Sequence, residues 1–248
     1  MKGRQITCMY MIFTNLNQAD RKGNQIMIHN KQVQKVQYFK FLGIFIDEKL
    51  KWHEHLRIVN QRISRALYAL NKAKHSLQTT QLRMLYHSIV YPHLTYGITL
   101  WGSAHETHKS KLILTQKKII RIINGSKYDA HSEPIFKKLN ILKLDDIYKL
   151  NVAKYCHNYF SSTLPSHLLT LFSIVPDLHE YATRHNTRHT LKIHRPRTVT
   201  TSQHILCNGP KIWNSLSNTL YINHNSQLVR PQVFSKRLKK LFLSGYRA

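Results

Sequence analysis

The one adjacent aspartate pair in this chain, Asp145-Asp146, is the first place to look for chemistry. Two neighbouring aspartates, joined by a third acidic side chain, can hold paired Mg2+ ions for metal-assisted phosphoryl transfer. Their neighbours argue for something plainer. The pair precedes Ile147-Tyr148-Lys149-Leu150, which reads as the start of a helix, where acidic side chains cap the chain and meet the positive end of the dipole. The 17 His supply no metal set: no cysteine pair accompanies them, and His53 and His55 stand two apart, so they do not face one another on a helix. Neither a Gly-rich phosphate loop nor a nucleophile–base arrangement is visible. The remaining candidates are cationic. Arg57, Gln61 and Arg65 recur at spacing four with Lys72 beyond them, and Lys117, Lys118 and Arg121 cluster further on. On helices such spacings make stripes suited to a phosphate backbone.

Composition agrees with that chemistry. Among 248 residues, 38 Lys and Arg oppose 11 Asp and Glu, giving a net charge of +27 with His neutral. Such an excess implies a polyanionic partner, either nucleic acid or an anionic membrane surface. Seamed helices with mixed Tyr and His content disfavour the membrane surface, and no apolar run reaches the roughly 18 residues of a span. Cys8, Cys156 and Cys207 are odd in number and far apart, which predicts a reducing compartment, nucleus or cytoplasm, rather than secretion.

The elements that must carry these residues change character near residue 52. Before it, residues 5–14, 26–28 and 33–36 read as short strands, and Ile44-Phe45-Ile46 as a strand covered on both faces, entered through Gly43. After it the period is helical. Leu56, Val59, Ile63, Ala66, Leu70, Ala73 and Leu77 form one apolar seam. Thr79 or Thr80 is placed to cap a second helix that Pro92 ends or kinks, and a third runs from Glu106 to Asn124, stopped by Gly125. Ser132 opens a helix to Asn140, Asp145 or Asp146 opens one to Phe160, Pro165 starts a stub, and Pro231 begins the last helix, to Leu243. The fold class is α+β: a small antiparallel β meander over 1–52, a helical region over 53–172, a basic loop or arm over 173–208 and a helical segment over 209–248. In the arm, Arg184, Arg188, Arg195 and Arg197 alternate with His185, His189 and His194, a composition that orders only against nucleic acid.

Several strings share one resemblance. Phe41-Leu42-Gly43-Ile44-Phe45-Ile46-Asp47 followed by Leu50-Lys51-Trp52 resembles a segment of the LINE-type (non-LTR, jockey-like) retrotransposon reverse transcriptases. Tyr10-Met11-Ile12-Phe13, Pro92 to Gly102, Leu114 to Ile123, Gly209 to Leu216 and the helix around Phe234 are similar to further strings of that family, in the same order. The chain departs at Thr7 and Met9, where lysines are usual, at Ser217, where proline is usual, and in lacking a cysteine–histidine knuckle. The resemblance implies the end of a polymerase palm with a primer grip at Phe41, Leu42 and Gly43, followed by a helical thumb. It implies that Trp52, Tyr96, Trp101 and Trp213 are architectural. It also implies that Arg57, Gln61, Arg65, Lys72, Lys117, Lys118, Arg121, Arg184 and Arg188 meet a template–primer duplex. The family's catalytic carboxylates lie before the strand that starts this chain, so Mg2+ is expected only with a full-length polymerase, and the chain alone is expected to be inactive. Two readings stay open: a reverse-transcriptase fragment that binds template–primer beside the rest of the polymerase, or an independent nucleic-acid-binding protein derived from such an element.

Overall fold

A computed structural model describes residues 8–13, 26–28, 31–175, 189–223 and 227–247. It divides into two compact units, Met1–Ile58 and Val59–Ala248, with the break inside the first helix.

The α+β class holds, but among the described residues the strands of the first unit form three separate pairs rather than one meander. Strand β1 (Met9–Tyr10) lies parallel to β4 (Gln34–Lys35), and β2 (Met27–Ile28) antiparallel to β3 (Lys31–Gln32). The regular piece is the hairpin of β5 (Tyr38–Phe41) and β6 (Ile44–Asp47), closed by Leu42-Gly43 between paired Phe41 and Ile44. Both loop residues take positive φ, 46° at Leu42 and 84° at Gly43, as a tight hairpin turn of primed type requires. Leucine there costs about 1–2 kcal/mol relative to its usual backbone. The expectation that this strand is covered on both faces is not met: β6 is half-buried throughout and β5 is exposed along its length. A two-stranded ribbon has too few neighbours to cover either face.

Asp47 explains how the hairpin ends. Its carboxylate accepts from the backbone N–H of Lys49 (3.2 Å), Lys51 (2.9 Å) and Trp52 (2.6 Å). Those bonds hold Leu50 and Trp52 at φ of 51° and 62°, and α1 (His53–Ala73) starts at the next residue. The spaced Asp, Leu and Trp therefore act together as a strand-to-helix joint.

In the second unit α1 buries Val59, Ile63, Ala66 and Leu70, as its seam predicts. The helix stops at Ala73 instead of reaching Leu77, because a new helix, α2 (Thr79–Leu85), is capped from Gln78 and not from a threonine. The Gln78 N–H donates to Gln81 Oε1 at 2.9 Å. Helix α2 widens into a π-helical turn over Tyr86–Val90 before α3 (Tyr91–Thr95). Pro92 cannot donate to the ladder, and the wider turn absorbs the break, with the Tyr91 N–H bonding to the Tyr86 carbonyl. Gly97, at φ 62°, then turns the chain into α4 (Ile98–Trp101). That turn brings the buried Trp101 indole N–H within 2.9 Å of the Tyr96 carbonyl. A Cβ at Gly102 would overlap the Tyr148 ring and the Ile98 carbonyl.

Helix α5 (Glu106–Asn124) ends at Gly125 in the left-handed region (φ 66°), as expected, and packs on α6 (Ser132–Leu139). The central helix is α7 (Leu144–Phe160), against which α3, α4, α10 (Ile205–Asn214) and α12 (Pro231–Ser244) pack. Between α7 and α10 come α8 (Ser166–Leu169) and α9 (Val199–Ser202), and α11 (Asn218–Tyr221) precedes α12. An aromatic cluster joins them: the buried Trp213 ring stands 5.2 Å from Phe160, 4.5 Å from Tyr221 and 5.8 Å from Phe234, and His157 stacks on Phe234 at 4.7 Å. Trp213 Nε1 donates to the His189 carbonyl at 2.7 Å, and the Asn214 amide both accepts from the Leu191 N–H and donates to its carbonyl. The described end of the expected basic arm is therefore pinned at residues 189–191. Burial pushes the Cys156 thiol up to about 12, so it packs as a small apolar group.

Candidate nucleic-acid interface

The cations singled out by spacing fall into several settings. On α1, Arg57, Gln61, Arg65 and Lys72 are all exposed, on the side turned away from the buried seam. Arg57 is engaged locally, donating to both oxygens of Glu54, and those bonds hold the Glu54 carboxyl below its ordinary range. Lys72 Nζ lies over the Tyr68 ring, 5.8 Å from its centre.

On α5 the cations separate. At roughly 100° per residue, neighbours in sequence point to different sides of a helix. Lys118 and Arg121 line a groove of about 560 Å3 shared with α1, where Ser64, Tyr68, Asn71 and the following Lys74 form the facing wall. The loop after α5 adds Tyr128, which is 81% exposed, while Tyr68 is 66% exposed. Arg121 also braces that loop, its Nε donating to the Ala130 carbonyl at 2.8 Å. No carboxylate lines this groove among the described residues.

Lys117 instead lines a groove of about 850 Å3 on the other side of α5. There carboxylates meet part of the positive charge. Lys143 bonds Glu133, and Lys109 reaches Asp145 at 2.6 Å and Glu106 at 2.8 Å. Lys109, unlike Lys117, Lys118 and Arg121 on the same helix, is buried. Behind it Gln116 is buried too: its amide donates to Tyr86 Oη (3.1 Å) and the Leu142 carbonyl (3.0 Å) and accepts from the Leu144 N–H (3.0 Å). The larger groove is thus a braced helix junction, and the smaller one is a groove whose cations meet no carboxylate in its lining.

The aspartate pair does not fit a metal pair. Both residues sit inside the first turn of α7 and not at its cap, which is Lys143. Asp145 pairs with Lys109, and Asp146 accepts from Tyr246 Oη at 2.6 Å. Among the described residues no three His, Cys, Asp or Glu side chains come together to hold an ion. Arg184 and Arg188 lie outside the described residues. Phe41 and Leu42 are exposed at the hairpin, 56% and 75%, beside Gly43; Trp52 is half-buried and Tyr96 exposed.

Sequence reasoning missed Tyr68, Lys74 and Tyr128 as one set, because nothing in their spacing shows that α1 and the loop after α5 face each other. It also missed a smaller basic groove of about 420 Å3 at Arg83, His87 and Lys239, where burial and then the Arg83 charge lower the Lys239 ammonium.

Over 195 residues the chain is 26% identical to the RNA-directed DNA polymerase from mobile element jockey of Drosophila funebris, a match covering 77% of this chain and 21% of that polymerase. Over this stretch the chain is similar to the RNA-directed DNA polymerases of jockey mobile elements. The same-named polymerase of Drosophila melanogaster is 27% identical over 150 residues, covering 57% of this chain and 16% of its own length. The probable RNA-directed DNA polymerase from transposon X-element of that species is 23% identical over 119 residues, 47% of this chain and 13% of the relative. The jockey-like match therefore spans about a fifth or less of these polymerases. No family model and no solved structure matches the chain. Among the described residues no helix is long and apolar enough to cross a membrane.

Proposed function

We propose that this chain is a piece of a retrotransposon RNA-directed DNA polymerase that holds template–primer nucleic acid through the basic faces of α1 and α5, without itself carrying the catalytic carboxylates. The kinship with jockey-like polymerases supports the class of partner. The observation that carries the reading is the convergence of Lys74, Lys118 and Arg121 on a groove lined by no carboxylate, with exposed Gln61, Arg65 and Lys72 further round α1. With 38 Lys and Arg against 11 Asp and Glu most cations have no acidic partner, and a cluster of them on one groove favours a polyanion. Exposed Leu42, held at positive φ with Gly43, is the matching candidate for primer contact, since strain of this kind is kept where a tip must present itself.

Phosphate contacts make duplex affinity fall with salt, with a slope of roughly −0.9 per phosphate neutralised. Replacing Arg65, Lys72, Lys74 and Lys118 together with Gln is expected to flatten that slope by about three units in an RNA–DNA duplex titration, with the unfolding midpoint retained. An unchanged slope would place the binding surface elsewhere.

A further inference from the structure

We infer that the groove between α1 and α5 is a site for unpaired nucleotides, a single strand whose bases stack on Tyr68 and Tyr128 while Lys74, Lys118 and Arg121 take its phosphates. This rests on the reading of the chain as a nucleic-acid binder and adds a second substrate form to it. A duplex offers a protein its phosphates and base edges, because the faces of its bases are stacked on one another. Lysines and arginines alone would therefore serve a duplex. Two tyrosines at the margins of the same concavity are not needed for that purpose. Their rings are 66% and 81% exposed, at positions where burial does not require them. Aromatic rings beside a cationic groove are the platform on which single strands bind, since every base has a π-face.

The surroundings keep the platform in place. Lys72 Nζ lies over one face of the Tyr68 ring, 5.8 Å from its centre, so a base stacks on the other face with the cation behind it. The loop bearing Tyr128 is fixed from within by the Arg121 bond to the Ala130 carbonyl and by Asn124 Nδ2 donating to Ser126 Oγ at 2.6 Å. Ser64, Asn71 and Ser126 give the walls neutral hydrogen-bonding groups. The volume, about 560 Å3, falls within the roughly 300–1,000 Å3 of small-ligand sites.

The test is fluorescence anisotropy of the full chain with labelled oligo(dT) and oligo(rU) single strands and with a blunt RNA–DNA duplex. Tyr68→Ala and Tyr128→Ala are each expected to weaken single-strand binding roughly tenfold and to leave duplex binding unchanged. Tyr68→Phe and Tyr128→Phe should keep the parent's affinity, because the ring does the stacking. Both rings are exposed, so an unchanged unfolding midpoint is expected for every variant. Single-strand affinity that survives the double alanine variant, or a loss of the same factor on the duplex, overturns the inference. A parent chain that binds duplex but no single strand overturns it while the duplex reading stands. A parent that binds neither sinks both, and one that binds only single strands through these tyrosines keeps the groove and removes the duplex.

Discussion

Helix α5 carries cations on two sides, and the two sides differ in what meets them. On one side Lys109 is enclosed with Glu106 and Asp145, and Lys117 borders a groove where Lys143 and Glu133 are already joined and Asp145 and Arg247 also stand in the wall. On the other side Lys118 and Arg121 face Lys74 and two exposed tyrosines, with no carboxylate among the lining residues. In the sequence the two groups are indistinguishable, a run of lysines and arginines at helical spacing. What separates them is where the chain's few acidic side chains are placed. Asp145 and Glu133 come from other helices, so they decide which cations brace the fold and which are left for a partner. A surplus of positive charge is therefore not an interface by itself. The proposed interface is a place where cations converge on one groove with no carboxylate in its lining.

The largest effect should come from the bracing side. Gln116→Leu leaves the Tyr86 hydroxyl, the Leu142 carbonyl and the Leu144 N–H without their shared partner in a buried setting. A loss of about 2–4 kcal/mol is expected in urea unfolding, with the salt slope of nucleic-acid binding unchanged. If the slope moved while stability held, the division between the two sides would be wrong.

Lys109→Met should be milder, about 1–2 kcal/mol, since both of its carboxylate partners keep some access to water. Burial opposes the Lys109 charge, but hydrogen bonds to Asp145 and Glu106 outweigh it and hold the ammonium above its ordinary value. A value raised on folding contributes stability in full below the unfolded value near 10.5 and loses it as pH rises through the folded one. The stability gap between parent and variant should therefore close at strongly alkaline pH. A gap that stayed constant would show that Lys109 acts through packing of its stem alone.

How much of this was legible in the sequence follows the range of the interactions. Local periodicity placed the buried seam of α1 at Val59, Ile63, Ala66 and Leu70, and local stop chemistry placed the end of α5 at Gly125. The hairpin turn at Gly43 was visible as a backbone that needs a small residue, and it has φ 84°. The failures need a second segment to be understood. The burial of Lys109 depends on Asp145, 36 residues away, and the fixing of residues 189–191 depends on Trp213 and Asn214. The π-helical turn before Pro92 is a choice among several ways to relieve one missing donor. The parallel pairing of β1 with β4 has no local signature, because two-residue strands carry almost no pattern. The groove shows the same limit. Lys118 and Arg121 were readable as cations on a helix, but Tyr68, Lys74 and Tyr128 join them only when two helices and a loop are packed.

The finest test of the two-sided helix compares neighbouring residues. Lys117→Gln and Lys118→Gln each remove one charge from adjacent positions of α5, both at the solvent boundary. Neither should change stability by more than about 0.5 kcal/mol, because neither holds a buried network. Their effects on binding should nevertheless differ. Lys118 lines the carboxylate-free groove, so removing it should reduce the duplex salt slope by about one unit and weaken all sequences alike. Lys117 shares its groove with Lys143 and Arg247 but also with the carboxylates of Glu133 and Asp145, which offset part of the positive charge a phosphate would meet there. Its removal should leave the slope within error of the parent. Salt titrations of the two single variants against the same duplex decide it. Equal slopes for both would mean that the backbone passes over α5 without regard to the grooves, and that the distribution of acidic partners does not steer binding.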